Sequence, residues 1–266
     1  MQYKLLVLDL DDTLLNKNHE ITEETKKTIL KVKEKGVELV IATGRMYCSA
    51  LPYLKELSVP GAAITYNGAY IKDYLKDELI YHQAVDLKIA RVILEEAEKA
   101  DLYTNIYIDD KLFVEKKNEL SDLYTEISDV EAEPVGRLLD FIHTDPTKIL
   151  FIEKDLEKLK YYKEYFQEEY KGTIAVTRSK DFYLEIMDPA VSKGSAIKKV
   201  ADKSGISLEE VVAIGDGWND LEMIKAAGLG VAMGNADEEI KKQADMLAPE
   251  HDKEGVSTAL KEIFNL

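Results

Sequence analysis

Short apolar runs alternate with charged stretches of helical spacing over the first part of this chain. Residues 4–8 read as a buried strand, and residues 16–20 as polar loop. Thr22 then stands as N-cap of a helix over residues 23–35, with Glu23 and Glu24 well placed in its first turn and Gly36 closing it. A second strand over residues 37–42 ends at Thr43-Gly44-Arg45 and leads into a helix over residues 46–57. Pro60-Gly61 breaks the chain before a third strand, residues 62–66. This β-α-β-α-β order predicts a parallel sheet joined by right-handed crossovers.

The pattern then changes. Asn67-Gly68 is a strong hairpin signal between residues 62–66 and short antiparallel strands near 69–71 and 78–81. A helix over residues 87–99 keeps Ile89, Val92, Ile93 and Ala97 at helical spacing. Strands follow at 102–108 and 111–114 around Asp109-Asp110. Residues 118–146 predict a helix and then irregular chain. A strand (148–153), a charged helix (156–169) and two strands (173–177, 182–187) complete this stretch. From Ser192 the helix–strand alternation returns: a helix at 194–204, Ser207 and Glu210 at capping-box spacing, a strand at 211–215, a helix at 220–227 and a strand at 229–233. Asn235 is expected to cap a helix starting near Asp237, before a last strand (246–248) and a C-terminal helix. The fold class is therefore α/β: a Rossmann-like parallel-sheet core (residues 1–82 and 188–266) carrying an inserted α+β domain (residues 83–187).

Composition adds bounds. The chain has 266 residues, 45% hydrophobic and 32% charged, as suits a globular protein of one large or two modest domains. Its apolar runs are too short to span a membrane. Residues 1–4 lack the apolar core of a signal peptide, and one cysteine, Cys48, excludes a disulfide framework. A cytoplasmic protein with no membrane partner, monomeric or a small homo-oligomer, is the expectation. The formal net charge of −16 is spread along the chain, with no Lys/Arg stripe for a nucleic acid. It would also repel a phosphorylated ligand, so any phosphate site must be built locally from a metal, one or two cations and backbone N–H groups.

The first strand ends in Asp9-Leu10-Asp11-Asp12-Thr13. Carboxylates this close raise one another's pKa, and a divalent cation would reverse that cost. In extended chain Asp9 and Asp11 share a side, about 6–7 Å apart, so one could attack an atom while the other handles a proton. Thr43 and Asp216 also follow apolar strands, and Lys193 opens a helix, where a cation opposes the helix dipole and wants an anionic partner. In open α/β sheets ligands bind beyond the carboxyl ends of strands. A nucleophile, a hydroxyl, a cation and a further carboxylate gathered there form a phosphoryl-transfer set.

Asp9-Leu10-Asp11-Asp12-Thr13, Thr43-Gly44-Arg45, Lys193-Gly194 and Gly215-Asp216-Gly217-Trp218-Asn219-Asp220 resemble, in order, the four motifs of the haloacid dehalogenase superfamily. The large insert between the second and third resembles the Cof-like phosphatases with a type IIB cap. The likeness covers essentially the whole chain, including Gly234-Asn235-Ala236. It implies a phosphatase of small phosphorylated metabolites, sugar phosphates foremost. Asp9 would be the nucleophile that becomes an aspartyl phosphate, and Asp11 the acid that protonates the leaving oxygen and then activates water. Magnesium would be held by the Asp9 side chain, the Asp11 carbonyl and Asp216. Leu10, Thr43, Gly44, Arg45, Lys193 and Asn219 would contact the phosphate or its surroundings, with Asp220 and Thr13 in support. Thr13 is expected to brace the loop through a hydroxyl–backbone bond.

Other residues carry weaker expectations. Arg45 is divided between a surface ion pair and substrate contact, and Trp218 between packing and ligand contact. Arg178, Tyr183 and Glu185 are candidate rim residues of the cap, which is expected to close over the core and select the substrate. The four histidines have no metal-site spacing and read as surface or loop. Cys48 lacks an arginine six positions on, which argues against a cysteine-dependent phosphatase. Asp12 stands where many relatives have glycine, so its backbone is expected to need no glycine-only conformation and its carboxylate to point away. The rival readings are a sugar-phosphate phosphotransferase or mutase, and a phospholigand-binding protein without turnover.

Overall fold

The computed structural model describes residues 2–58 and 61–266. The chain divides into two compact units, one of residues 1–44, 50–80 and 192–266, the other of residues 45–49 and 81–191. In the first, β1 (Leu5–Asp9), α1 (Glu23–Glu34), β2 (Glu38–Ala42), α2 (Tyr47–Leu57) and β3 (Gly61–Thr65) follow the expected alternation. The Thr22 hydroxyl caps α1 by accepting from Thr25 N–H. Pro60 of the expected chain break lies outside the described residues. The Asn67-Gly68 turn reverses the chain into β4 (Tyr70–Asp73), antiparallel to β3, and β5 (Glu78–His82) lies beside β4.

The second unit is a six-stranded sheet with helices. Its elements are α3 (Leu87–Lys99), β6 (Tyr103–Ile108), β7 (Lys111–Val114), α4 (Glu119–Ser128), β8 (Ala132–Pro134), α5 (Leu138–Phe141), β9 (Lys148–Ile152), α6 (Leu156–Glu169), β10 (Ala175–Thr177) and β11 (Tyr183–Met187). The strand order is β10-β11-β9-β6-β7-β8, antiparallel except for the β7–β8 pair. Side chains alternate across a sheet. One set, Ile106, Ile149, Phe151, Leu184 and Ile186, packs with Ile93 and Leu94 of α3 and Leu159 and Phe166 of α6. The other set includes Tyr107, Lys148 and Glu185. There the buried Lys148 ammonium lies 3.1 Å from Glu185 Oε1 and 4.8 Å from the centre of the Tyr107 ring. Ser179 donates to the same Glu185 oxygen at 2.9 Å. Two of the three rim candidates, Tyr183 and Glu185, are thus buried in the second unit, and Arg178 donates to Asp181. Residues 118–146, expected to form a helix and then irregular chain, hold the helix as α4, and the chain after it forms β8 and α5.

The chain re-enters the first unit through α7 (Lys193–Ser204), β12 (Val211–Gly215), α8 (Leu221–Ala226), β13 (Leu229–Ala232), α9 (Glu238–Lys241), β14 (Met246–Leu247) and α10 (Gly255–Phe264). The sheet order is β14-β13-β12-β1-β2-β3-β4-β5. Its six strands from β14 to β3 run parallel. β1 sits between β12 and β2, with Leu8 opposite Ile214 and Asp9 opposite Ala42. The carboxyl ends of these three strands therefore bring Asp9, Thr43 and Asp216 to one edge. No helix of the described residues is long and apolar enough to cross a membrane.

Candidate active site

Asp9 ends β1, and the chain then makes a wide turn closed by Leu15 N–H donating to Leu10 O at 2.9 Å. Leu10, Thr13 and Leu14 point inward and are buried. Leu10 can therefore offer a ligand only its backbone. Asp11 remains extended at φ −75°, ψ 133°, but Asp12 turns left-handed at φ 55°, ψ 13°. This corrects the expectation for Asp12: its backbone does adopt a glycine-favoured conformation, one that aspartate tolerates better than most residues. Its side chain is 62% exposed, as expected of a carboxylate that points away.

Lys193, first residue of α7, is 0% exposed. Its ammonium donates to Asp9 Oδ1 at 2.6 Å and to Asp220 Oδ1 at 2.5 Å. Two carboxylates thus answer a cation placed against the helix dipole. The other Asp220 oxygen accepts from the backbone N–H of Asp216 (3.0 Å) and Gly217 (2.8 Å), which shapes the β12–α8 turn. Gly215 makes room for this: a Cβ there would lie 2.6 Å from the Asp220 carboxyl carbon. Thr13 donates to Asp216 Oδ1 at 2.8 Å. The expected hydroxyl–backbone bond is thus replaced by a side-chain bond, because the turn aims the hydroxyl at a neighbouring strand end.

Thr43 is fully buried, and its backbone joins β3 through Thr43 N–H to Ile64 O at 2.8 Å. Asn67, read from sequence as a turn residue only, is buried at φ 54°. Its N–H donates to Thr43 O at 3.0 Å, and its Oδ1 accepts from Asn219 Nδ2 at 2.9 Å. Gly44 permits this closeness, since a Cβ there would meet Asn67 Oδ1 at 2.9 Å. Asn235 is a second residue whose role sequence reasoning missed. It does not cap α9, whose N-cap position is Asp237. Its Nδ2 instead reaches Asp12 O (2.8 Å) and Asp216 Oδ2 (3.2 Å). His251 is also no free surface residue: its N–H donates to Asn235 Oδ1 at 3.0 Å, and its Nδ1 lies 3.0 Å from Leu15 O. Trp218 is 55% exposed, with its indole N–H on Asp237 Oδ2 at 2.8 Å. Arg45 groups with the second unit.

The electrostatics are lopsided. Burial, followed by the charge of Asp220, pushes the Asp9 carboxyl well above its usual range despite Lys193. Burial and the charge of Asp9 do the same to Asp216. Burial alone would lower the Lys193 ammonium, but Asp220 and Asp9 outweigh it and hold it above the lysine range. Asp9, Asp216 and Asp220 each offer an oxygen within 4.8 Å of the others. Asp220 is taken up by the Lys193 ammonium and two backbone N–H groups, whereas the donors on Asp216 are a hydroxyl and an amide, which leave its negative charge uncompensated. An all-oxygen set suits a hard divalent ion. Cys48 offers no competing nucleophile, because burial and the Asp110 charge push its thiol up to about 12.

Residues 6–260 match the family model of the haloacid dehalogenase-like hydrolases. The chain belongs to this family. It is 30% identical to the phosphatase YwpJ of Bacillus subtilis, over 98% of this chain and 100% of that one. It is also 30% identical to the 5-amino-6-(5-phospho-D-ribitylamino)uracil phosphatase YitU of the same organism, over 98% of each chain. Among solved structures, the haloacid dehalogenase subclass IIB sugar phosphatase BT4131 superposes with a TM-score of 0.85 at 25% identity, covering 99% of this chain and 100% of that one. This haloacid dehalogenase-like hydrolase is a Cof-like phosphatase. Phosphatases of the family generally use a metal ion, and the acidic cluster is compatible with one.

Proposed function

We propose that this chain hydrolyses phosphate esters of sugars or related polyols, with magnesium, through phosphoryl transfer to Asp9. One observation carries the reading: a buried lysine donates to Asp9 and Asp220 beside Asp216, in a strand-end cluster with more carboxylates than cations. Two relatives support the substrate class by name, one a sugar phosphatase and one acting on a phosphoribitylamino compound.

Asp9 and Asp216, with the Asp11 carbonyl, would hold the magnesium, which when bound supplies positive charge to the phosphate and to the crowded carboxylates. Lys193 engages Asp9 Oδ1, leaving Oδ2 as the attacking atom. That oxygen forms a bond to phosphorus as the bond to the ester oxygen breaks, and Asp11 gives its proton to the departing oxygen. Asp11 then takes a proton from the water that attacks the aspartyl phosphate, which restores Asp9 and releases inorganic phosphate. Lys193 limits charge build-up on the transferring group. Thr43, Gly44, Asn219 and the Leu10 backbone complete the phosphate cradle in this reading, and Arg45 is the least supported member. The second unit is assigned the choice of leaving group.

The test is a panel of phosphorylated metabolites and a generic aryl phosphate, assayed for phosphate release with magnesium and no acceptor sugar. Release is expected, highest on sugar or polyol phosphates, and Asp9→Asn should abolish it while the protein stays folded. Turnover only with an acceptor sugar would make the chain a phosphotransferase. Activity retained by Asp9→Asn would move the nucleophile elsewhere.

A further inference from the structure

The Asp216 carboxylate is clamped at both oxygens by donors from distant segments. Thr13, in the turn after β1, holds Oδ1 at 2.8 Å, and Asn235, between β13 and α9, holds Oδ2 at 3.2 Å. The orientation of the Asn235 amide follows from its partners. The His251 backbone N–H can only donate, so the atom facing it at 3.0 Å is Oδ1. The Asp12 carbonyl can only accept, so Nδ2 faces it at 2.8 Å and reaches Asp216 with its other hydrogen. His251 in turn meets the Leu15 carbonyl, and Trp218 ties the Asp216 loop to Asp237 on the same segment. Residues 235–251 thus form a strap across the turn that carries Asp11 and the loop that carries Asp216.

We propose that Asn235 is a positioning residue for the cation: it fixes the Asp216 carboxylate and the Asp12 peptide in the arrangement that receives magnesium. This rests on the reading of Asp216 as a magnesium ligand. The need for a clamp is electrostatic. Asp9 and Asp220 each bring a carboxylate oxygen within 4.8 Å of one of Asp216, so without donors on both oxygens the side chain would turn away from them before a cation arrived. Partners that orient ligating carboxylates are typically worth ten- to a hundredfold in metal affinity.

The experiment is calorimetric titration of the substrate-free protein with magnesium chloride, for the native chain, Asp216→Asn, Asn235→Ala and Asn235→Ser. Serine keeps a polar side chain but, one bond shorter, is too short to reach Asp216. Both Asn235 variants should bind magnesium about tenfold more weakly or worse. The magnesium needed for half-maximal turnover should rise by a larger factor than kcat falls. A role confined to holding the fold together would lower the unfolding temperature or kcat and leave the magnesium dissociation constant alone. Binding within twofold of the native chain in a folded Asn235 variant, with Asp216→Asn impaired, overturns the inference by itself. Absence of magnesium binding in the native chain, or native affinity in Asp216→Asn, overturns the metal reading and the inference together.

Discussion

Each unit buries a lysine against carboxylates, and the two arrangements have opposite electrical balances. In the second unit Lys148 meets one carboxylate, Glu185, with Ser179 and the Tyr107 ring filling out the pair. The charges cancel in place. In the first, Lys193 touches Asp9 and Asp220, while Asp220 and Asp11 add their fields to Asp9, and Asp9 and Asp220 add theirs to Asp216. Burial first, and then the neighbouring carboxylates, push the Asp9 and Asp216 carboxyls upward. A buried lysine–glutamate pair of this kind reads as part of the sheet's architecture. An unbalanced cluster at a strand-end edge asks for a cation, and there the functional reading belongs. Burial of a charge alone does not separate the two.

The comparison breaks most visibly through the lysines. Lys193→Met should lower turnover of an aryl phosphate by at least about a hundredfold, the scale for losing one charge-stabilising group at a reacting centre. Lys148→Met paired with Glu185→Leu should leave the catalytic step, followed as phosphate release at saturating substrate, far closer to native. The second unit provides the next effect. Glu185→Leu alone strands a buried ammonium and should cost about 3–5 kcal/mol in urea unfolding, whereas the double replacement should recover most of that loss. No second substitution can rescue Lys193→Met in the same way, because its partners are themselves the proposed chemistry. The smallest effect belongs to Asp12→Gly. Glycine relieves a left-handed backbone worth about 1–2 kcal/mol of strain in an ordinary residue, less in aspartate. Turnover should therefore stay within a few-fold of native; a loss as deep as that of Asp9→Asn would give Asp12 a chemical role.

The strands at the site were legible because each is a short apolar run ending in a polar residue with a definite chemistry, as at Asp9, Thr43 and Asp216. Lys193 was legible as a cation in want of an anion, since a helix start disfavours it. What stayed hidden shares one physical feature: it depends on hydrogen bonds between segments far apart in sequence. Asn67 carries a turn signal and also a partner 152 positions away, Asn219. Asn235 lies beside a helix start and so resembles a cap, but its donors go to a carbonyl 223 positions earlier and to Asp216. The left-handed turn at Asp12 is not legible because aspartate tolerates that conformation without signalling it as a glycine would. Strand β8 has only three residues, ending in Pro134, too few for a period to show.

The central claim is that the Asp9–Asp216 cluster is short of positive charge until a cation binds, and thermal unfolding across pH tests it directly. In the cation-free protein both carboxyls sit above their unfolded value of 3.8. The folded state therefore holds more protons than the unfolded state above that value, and stability falls as pH rises through the window. Surface carboxylates with lowered values, such as Glu24 and Glu153, act below this range. His82, lowered by burial, has the opposite sign near pH 6.5, but it contributes equally with and without magnesium. The shift in unfolding temperature produced by millimolar magnesium should therefore grow from pH 5 to pH 8 in the native chain and largely vanish in Asp216→Asn. An equal shift at both pH values, or one that survives in Asp216→Asn, would contradict the account.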